Sequence, residues 1–300
     1  MPRARTSLTG ILKLFRNGEM ISRLLVIAGA GTYPELIVRG AKKAGVQRVD
    51  VIAVKGSASR ATVRAADFVH WGTVGRIMES VRWAGEQGYD GAVLAGQVNP
   101  LSLFRSRFDA ETKALLASLP AKNAHSIFKG LIDMFADVGV KMLPASLYMD
   151  DNLPGTGLLT RRALSEGERR DMRHAMAVAR DVGVHDVGQT VLVKAGMVLA
   201  VEAFEGTNAA IKRGGRLGGR GAVIFKAARE GHDMRFDIPV VGLKTLKVMK
   251  KSGVTALGFQ AKRLILLDRE DVIAYADRHG IAIEGIESGL PPAPTRADMV

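Results

Sequence analysis

The stretch LLVIAGAGTYPELIVRGAKKAG, residues 24–45, predicts how this chain of 300 residues begins to fold. Its first five residues, 24–28, are apolar and have the length and composition of a buried strand. A turn with two glycines follows, and apolar residues then recur at helical spacing from residue 34 to residue 44. Pro34 suits the first turn of that helix. A strand, a glycine turn and a helix in this order are typical of a parallel α/β sheet.

The alternation of strands and helices continues to residue 149. Further strands are predicted at residues 49–54, up to Trp71, at 91–94 and at 140–143, and further helices at 72–85, 109–119 and 124–138. Repeated strand–helix units imply parallel strands with helices on both faces of the sheet. We therefore expect residues 21–149 to form a Rossmann-like N-terminal domain with a parallel sheet.

The second half of the chain has a different pattern. Residues 150–166 (DDNLPGTGLLTRRALSE) are rich in Gly, Pro, Asp and Asn, which predicts an interdomain linker. Two apolar runs, 191–194 and 197–201, flank Ala195-Gly196 and predict an antiparallel hairpin. Strands are also predicted at 223–225, 238–241, 256–259 and 264–267, and helices at 167–182, 244–252 and 269–279. We expect residues 167–288 to form a C-terminal α/β domain with a mixed sheet, and the proline-containing tail, 289–300, to be disordered.

The composition indicates an anionic partner. The chain has 43 Lys and Arg against 30 Asp and Glu, a formal net charge of +13. Nucleic acid, a phosphorylated substrate or an acidic membrane surface would each suit this excess. The chain has no cysteine, which excludes disulfides, a thiolate nucleophile and Cys-ligated zinc, and fits a reducing compartment.

The first twenty residues, MPRARTSLTGILKLFRNGEM, form a basic extension with four arginines or lysines and one glutamate. Two interpretations are open for this extension, 1–20. As a short amphipathic helix it would rest on anionic lipid. Alternatively, Met20 is the true start and the extension has no role in the fold.

The glycine turn resembles a nucleotide-binding turn only in part. Gly29 and Gly31 follow the first strand and open a helix, as in a turn that approaches phosphate. The third glycine of the dinucleotide fingerprint is replaced by Pro34, and the second strand lacks the acidic residue that would bind a ribose. These departures argue against an NAD-dependent oxidoreductase, which stays the weaker alternative, and a purely structural tight turn is also open.

Carboxylates collect in three segments of the second half. Gln189 ends DVGQ, Glu202 and Glu205 follow a strand in VEAFEGT, and Thr207 begins the next helix. Asp233, Arg235 and Asp237 alternate in HDMRFDIP, so an extended chain would place them on one face. Oxygen ligands of this kind suit Mg²⁺.

Basic residues accompany these carboxylates. A guanidinium fork matches phosphate, so the cations of this region are candidates to clamp a diphosphate. They are Arg213, Lys226, Arg229 and Arg235. The loop KRGGRLGGRGA, residues 212–222, resembles an RNA-binding tract but lacks aromatic stacking residues. A non-catalytic nucleotide- or RNA-binding protein is therefore the alternative to an enzyme.

Four segments resemble the LpxI-type UDP-2,3-diacylglucosamine pyrophosphatases. They are IAGAGTYPELIVRGAKKAG, AGQV (which contains Gln97), DVGQTVLVKAGMVLAVEAFEGTNAAIKR and RFDIPVVGLKT, in this order between residues 20 and 285. The resemblance implies a Rossmann-like domain and a C-terminal α/β domain with the substrate held between them. It also implies Mg²⁺-dependent hydrolysis of UDP-2,3-diacylglucosamine to UMP and 2,3-diacylglucosamine 1-phosphate, a step of lipid A synthesis.

The resemblance also suggests roles for residues of this chain. Asp237, in Asp237-Ile238-Pro239, becomes the catalytic acid, as a metal ligand or as the base that accepts a proton from water. Glu202 and Glu205 become metal ligands with it, and the substrate-binding candidates are Gly29, Gly31, Gln97, Gln189, Thr207, Arg213, Lys226, Arg229 and Arg235. The chain departs from the family pattern at His232 and Arg229, where Gln and Lys are common. The expected location is the cytoplasmic face of the inner membrane, with a possible homodimer and no nucleic-acid partner.

Overall fold

The computed structural model describes residues 21–97, 108–118, 124–185, 187–228, 233–236, 238–287, 289, 293 and 295. The chain divides into two compact units after Asp150, and the second unit is Asp151–Ala293. The basic extension, 1–20, lies outside the described residues.

The first unit contains one parallel sheet. Its strands are β1 (Arg23–Ala28), β2 (Arg48–Val54), β3 (Phe68–Gly72) and β4 (Gly91–Ala95), and its helices are α1 (Tyr33–Lys43), α2 (Arg60–Ala65), α3 (Ile77–Glu86), α4 (Ala110–Ser118) and α5 (Ala124–Asp137). The strand order is β3-β2-β1-β4, and every pair is parallel. The predicted Rossmann-like parallel sheet is confirmed.

Burial accounts for the apolar sequences of β1 and β4. Leu24, Leu25 and Val26 of β1 are fully buried, and all of β4 is buried. Strands covered on both faces consist of continuous apolar runs, as these do. Ile37 and Val38 of α1 are also fully buried, which accounts for the apolar spacing of that helix.

Two predicted elements of this unit differ in the structure. The helix predicted to begin at residue 72 begins at Ile77, because β3 continues to Gly72 and a 3₁₀ turn, Val74–Arg76, follows it. The strand predicted at 140–143 is a single parallel bridge between Ala92 and Met142. Ala92 donates a backbone hydrogen bond to Lys141 and accepts one from Leu143, so this stretch pairs with β4 at a single residue.

The second unit contains a six-stranded mixed sheet. Its strands are β5 (Gly157–Leu158), β6 (Thr190–Lys194), β7 (Met197–Val201), β8 (Ala222–Lys226), β10 (Val254–Gln260) and β12 (Ala282–Ile286), while β9 (Val240–Val241) and β11 (Ile265–Leu266) pair with each other in a separate parallel ribbon. The order is β5-β12-β10-β8-β6-β7. Strands β8, β10 and β12 are parallel, whereas β6 is antiparallel to both of its neighbours.

The predicted hairpin between β6 and β7 is confirmed. Ala195 and Gly196 have φ values of 50° and 77°, the left-handed conformation that a two-residue hairpin turn needs. The Asp171 carboxylate accepts hydrogen bonds from both of their backbone N–H groups, at 2.8 Å each. This side chain therefore secures the turn.

Helices cover both faces of the second sheet. They are α6 (Glu166–Val184) on one face, and α7 (Thr207–Gly218), α8 (Leu243–Lys251) and α9 (Arg269–His279) on the other. Met172 and Ala175 of α6 pack with Phe225 of β8. Ile211 of α7 and Leu246 of α8 belong to the opposite cluster.

The structure corrects two predictions at the borders of this unit. Residues 150–166 are not a free linker, because Gly157 and Leu158 pair with β12 and the Leu159 N–H donates to the Ile283 carbonyl. The tail, 289–300, is described at only three positions, and among these Ala293 is fully buried, with its N–H donating to the Lys262 carbonyl. Both segments are rich in turn-forming residues, which set the local conformation but do not prevent packing.

The described residues include no helix with the length and apolar character that crossing a bilayer requires.

Glu168 joins the start of α6 to the sheet. Its carboxylate accepts hydrogen bonds from both Arg162 Nη atoms, at 2.8 and 2.9 Å, from Thr255 Oγ1 at 2.6 Å and from the Ser165 N–H at 2.9 Å. Burial raises the pKa of Glu168, but these donors and the Arg162 charge outweigh it and lower the pKa to about 2. The ionised carboxylate is therefore the form that the fold stabilises.

We expect Glu168→Gln to destabilise the protein by about 1–3 kcal/mol at neutral pH, because buried donors lose a charged acceptor. A lowered pKa stabilises the fold fully above the ordinary pKa of 4.5 and progressively less as the pH falls towards 2. Denaturant unfolding at several pH values should therefore show a wild-type advantage that shrinks across this window. Glu166→Gln, at an exposed neighbouring position of α6, is the control. A stability difference between wild type and Glu168→Gln that does not vary with pH would contradict a stabilising role of the ionised carboxylate.

Candidate functional site

The glycine turn of the first unit is held closed by the loop after β4. The Gly29 N–H donates to the Ala95 carbonyl at 2.8 Å, and Ala30 and Gln97 exchange backbone hydrogen bonds at 2.7 and 3.1 Å. A Cβ at Gly29 would lie 2.6 Å from the Gln97 carbonyl oxygen, so only glycine permits this approach. The structure thus brings Gly29 and Gln97 together, and Gly31 follows with a φ of 97°.

Four side chains of the second unit meet at one edge of the sheet. Lys226 is the last residue of β8, Thr190 the first of β6, Glu202 directly follows β7, and Thr207 is the first residue of α7. Because β6 is antiparallel to β7 and β8, its start lies where they end. We call Thr190, Glu202, Thr207 and Lys226 the lysine cluster.

A hydrogen-bonded chain connects the lysine cluster. Lys226 is only 3% exposed, and its Nζ donates to Thr207 Oγ1 at 2.8 Å and to Thr190 Oγ1 at 3.3 Å. Thr207 Oγ1 in turn donates to Glu202 Oε1 at 2.8 Å, and Glu202 Oε2 lies 3.7 Å from Lys226 Nζ. A buried ammonium needs such partners, because an unpaired one would cost several kcal/mol.

Two buried oxygens, one in the lysine cluster and one on the residue after Thr207, have no hydrogen-bond donor among the described residues. They are Glu202 Oε2 and Asn208 Oδ1. Carboxylate and amide oxygens are the ligands that Mg²⁺ prefers, so the chemistry of these two atoms fits that cation. Among the residues that the structure describes, however, no three His, Asp or Glu side chains gather in a ready-made metal site.

Glu205 and Arg213 form an ion pair. Arg213 Nη2 donates to Glu205 Oε1 at 2.5 Å and to the Val201 carbonyl at 2.9 Å, and the Ala203 N–H donates to Glu205 Oε2 at 3.2 Å. The hydrogen bond from Arg213 lowers the pKa of Glu205. Both oxygens of Glu205 thus have donors, so of the two glutamates predicted as metal ligands Glu202 fits better.

Gly188 is a site residue that sequence reasoning missed. A Cβ there would lie 2.1 Å from the Glu202 carbonyl oxygen, so the backbone of Glu202 runs directly over this glycine. The Glu202 N–H donates to Thr190 O, and Gln189 O accepts from the Ala227 N–H, each at 2.8 Å. The backbone of residues 188–190 therefore positions Glu202. The available signal in the sequence is a glycine two residues before β6.

An extended chain would place Asp233, Arg235 and Asp237 on one face, but the described residues 233–236 are not extended. Met234, Arg235 and Phe236 form a turn, and the Arg235 guanidinium pairs with Asp233 at 2.7 Å. Asp233 also accepts a hydrogen bond from the Arg235 N–H at 3.1 Å, a local bond that an extended strand would break. The guanidinium of Arg235 therefore offsets the negative charge of Asp233. Asp237, Arg229 and His232 lie outside the described residues.

The start of α7 and Lys226 can bind an anion next to the Glu202 carboxylate. The first N–H groups of α7 have no intrahelical acceptors, as in any helix, and such a terminus attracts phosphate. The Lys226 ammonium lies next to this terminus, 2.8 Å from Thr207 Oγ1, and Glu202 Oε2, which accepts no hydrogen bond among the described residues, can accept one or bind a metal. Such a site suits a charged, phosphate-bearing ligand.

Two α/β units, one of them with this polar edge, place the chain among two-domain α/β proteins. The LpxI N-terminal domain model matches residues 23–152, and the LpxI C-terminal domain model matches residues 155–284. The chain belongs to the LpxI family.

A curated relative supports this assignment over nearly its whole length. This chain is 30% identical over 278 residues to the UDP-2,3-diacylglucosamine pyrophosphatase LpxI of Caulobacter vibrioides, covering 88% of this chain and 98% of the relative. Family membership decides against the NAD-dependent oxidoreductase considered above.

Solved structures are similar only in part. The biotin carboxylase subunit of pyruvate carboxylase matches with a TM-score of 0.26 and 20% identity, over 58% of this chain and 35% of that one. The biotin carboxylase domain of the Hydrogenobacter thermophilus 2-oxoglutarate carboxylase matches with a TM-score of 0.27 and 16% identity, over 60% of this chain and 36% of that one. This chain thus spans about a third of their length, and scores this low do not indicate a shared overall fold.

We expect Gly188→Ala to destabilise the protein by about 1–3 kcal/mol, because the new methyl group overlaps the Glu202 carbonyl and must displace it. Thermal and denaturant unfolding would measure the loss. Gly167→Ala is the matched control, since a Cβ there meets nothing closer than Ser165 Oγ at 4.0 Å. Equal stability of the two variants would show that Gly188 does not fix the position of Glu202.

Proposed function

We propose that this protein hydrolyses the diphosphate of UDP-2,3-diacylglucosamine, giving UMP and 2,3-diacylglucosamine 1-phosphate, in lipid A biosynthesis. The observation that carries the proposal is the match to the Caulobacter relative across 98% of that protein's length. The lysine cluster supports it, because a buried cation and the N-terminus of α7 offset the negative charge of a diphosphate.

Each residue of the proposed site has a chemical task. Asp237 accepts the proton of the attacking water or binds the metal. Thr207, Lys226 and the start of α7 attract the diphosphate, whereas Arg213 holds Glu205 and the end of β7 in place. Gly29, Gly31, Gln97, Gln189, Arg229 and Arg235 complete the proposed substrate-binding set.

Magnesium is the proposed cofactor. Asp237 and Glu202 would hold it, with Glu205 as a weaker candidate because Arg213 occupies one of its oxygens. When bound, Mg²⁺ polarises phosphate oxygens and lowers the pKa of water. We also propose that the protein acts at the cytoplasmic face of the inner membrane, where a diacylated substrate resides, and that it forms a homodimer.

Asp237→Asn should lower UMP release by about 10²-fold or more, because the variant keeps the shape of the side chain and loses its charge. Purified protein, UDP-2,3-diacylglucosamine and Mg²⁺ are sufficient for the assay. Asp181→Asn, at an exposed position of α6, removes the same charge elsewhere and should leave the rate unchanged. A near-normal rate of the folded Asp237→Asn variant would exclude Asp237 as the catalytic acid.

Removal of the metal should stop the reaction. We expect EDTA to abolish UMP release and added Mg²⁺ to restore it, and we expect Glu202→Gln to raise the Mg²⁺ concentration that is needed, because an amide binds Mg²⁺ more weakly than a carboxylate. Titration of the rate with Mg²⁺ measures both effects. Full activity in EDTA would show that the reaction does not need Mg²⁺.

A further inference from the structure

The outer faces of α7 and α8 carry only positive charge. Neither helix contains an Asp or Glu. Together with the residue two positions after α7, they expose seven cations that make no ion pair among the described residues: Lys212, Arg216, Arg220, Lys244, Lys247, Lys250 and Lys251. We call these seven residues the basic face.

The two helices are adjacent, so the basic face is continuous. A Cβ at Gly215 in α7 would lie 2.5 Å from the Cβ of Ser252, the residue that caps α8. The last turn of α7 therefore meets the end of α8, and the cations of both helix ends belong to one surface. The pKa of His279 at the end of α9 is lowered by burial and by the charges of Lys250 and Arg278, as expected beside such a surface.

Large apolar side chains border the basic face. Phe204, in the loop before α7, is 82% exposed, and Leu217 of α7 and Met197 of β7 are each 64% exposed. Met197 pairs with Lys194, whose Nζ donates to the Gly218 carbonyl, so Met197 lies beside the end of α7. Cations next to exposed apolar side chains are typical of a surface that rests on anionic lipid.

We propose that the basic face and its apolar border bind an anionic lipid surface. Cations attract acidic headgroups, while Phe204, Leu217 and Met197 enter the boundary between headgroups and acyl chains. The choice of lipid over RNA rests on the proposed function, since that substrate carries two acyl chains, and on the scarcity of aromatic stacking residues here. Strand pairing with a second copy is disfavoured, because the edge strand β7 is short and interrupted by a bulge.

The test compares two variants of the full chain that lose the same charge. Lys212→Gln, Arg216→Gln, Lys247→Gln and Lys251→Gln together remove four cations of the basic face. Arg60→Gln, Arg64→Gln, Arg173→Gln and Arg180→Gln together remove four exposed cations elsewhere. Both variants retain residues 1–20, so this extension cannot account for a difference between them.

Cosedimentation with phosphatidylethanolamine vesicles, with and without phosphatidylglycerol, measures the binding. Wild type should pellet only with vesicles that contain phosphatidylglycerol. The basic-face variant should bind these vesicles about tenfold or more weakly than wild type, and the control variant should bind them like wild type. Leu217→Gln should weaken binding without changing the charge. Equal binding of the two charge variants, or binding that ignores phosphatidylglycerol, would overturn the proposal.

Two further measurements separate this proposal from its alternatives. The first is retention of labelled RNA on a filter. If wild type retains RNA and the basic-face variant does not, and wild type does not pellet with vesicles, the surface binds polynucleotide and the proposal is wrong. UMP release in nonionic detergent micelles tests the proposed function separately, and the basic-face variant should retain it. Vesicle binding by a wild type that releases no UMP would support the lipid surface and overturn the proposed function.

Discussion

The buried ammonium of Lys226 constrains the second unit more than any other single group. A charge removed from water must find partners, and Lys226 finds them in three different elements: Thr190 of β6, Thr207 of α7 and the Glu202 carboxylate after β7. These residues have to meet at the end of β8. The hairpin and the start of α7 are thereby fixed with respect to the strand between β6 and β10.

Local sequence patterns account for most of the fold because the interactions behind them are local. A glycine turn between an apolar run and an amphipathic helix predicts the parallel unit, and Ala195-Gly196 predicts the hairpin, since few residues adopt a positive φ. The predicted helix at residue 72 starts five residues late because β3 extends to Gly72. That extension depends on pairing with β2, which a single segment does not reveal.

The candidate site was harder to predict because its charged side chains are paired in ways that spacing does not show. Glu205 follows a strand in a pattern typical of a metal ligand, yet Arg213, two helical turns away, occupies it. Arg235 has the chemistry to clamp a phosphate, yet it pairs with Asp233, two residues before it. The type of residue limits what a side chain can bind. The fold decides whether another residue of the chain already pairs with that side chain.

The pairing of cations with carboxylates also explains where the excess positive charge is found. In the second unit the carboxylates pair largely with arginines, whose planar fork suits two oxygens: Arg162 with Glu168, Arg169 with Glu284 and Arg213 with Glu205. The four lysines of α8 have no carboxylate on their own helix, and among the described residues none forms an ion pair. A net charge of +13 is therefore not spread evenly over the molecule. On α8 lysines outnumber acids by four to none, and this helix belongs to the surface that we propose to attract an anionic partner.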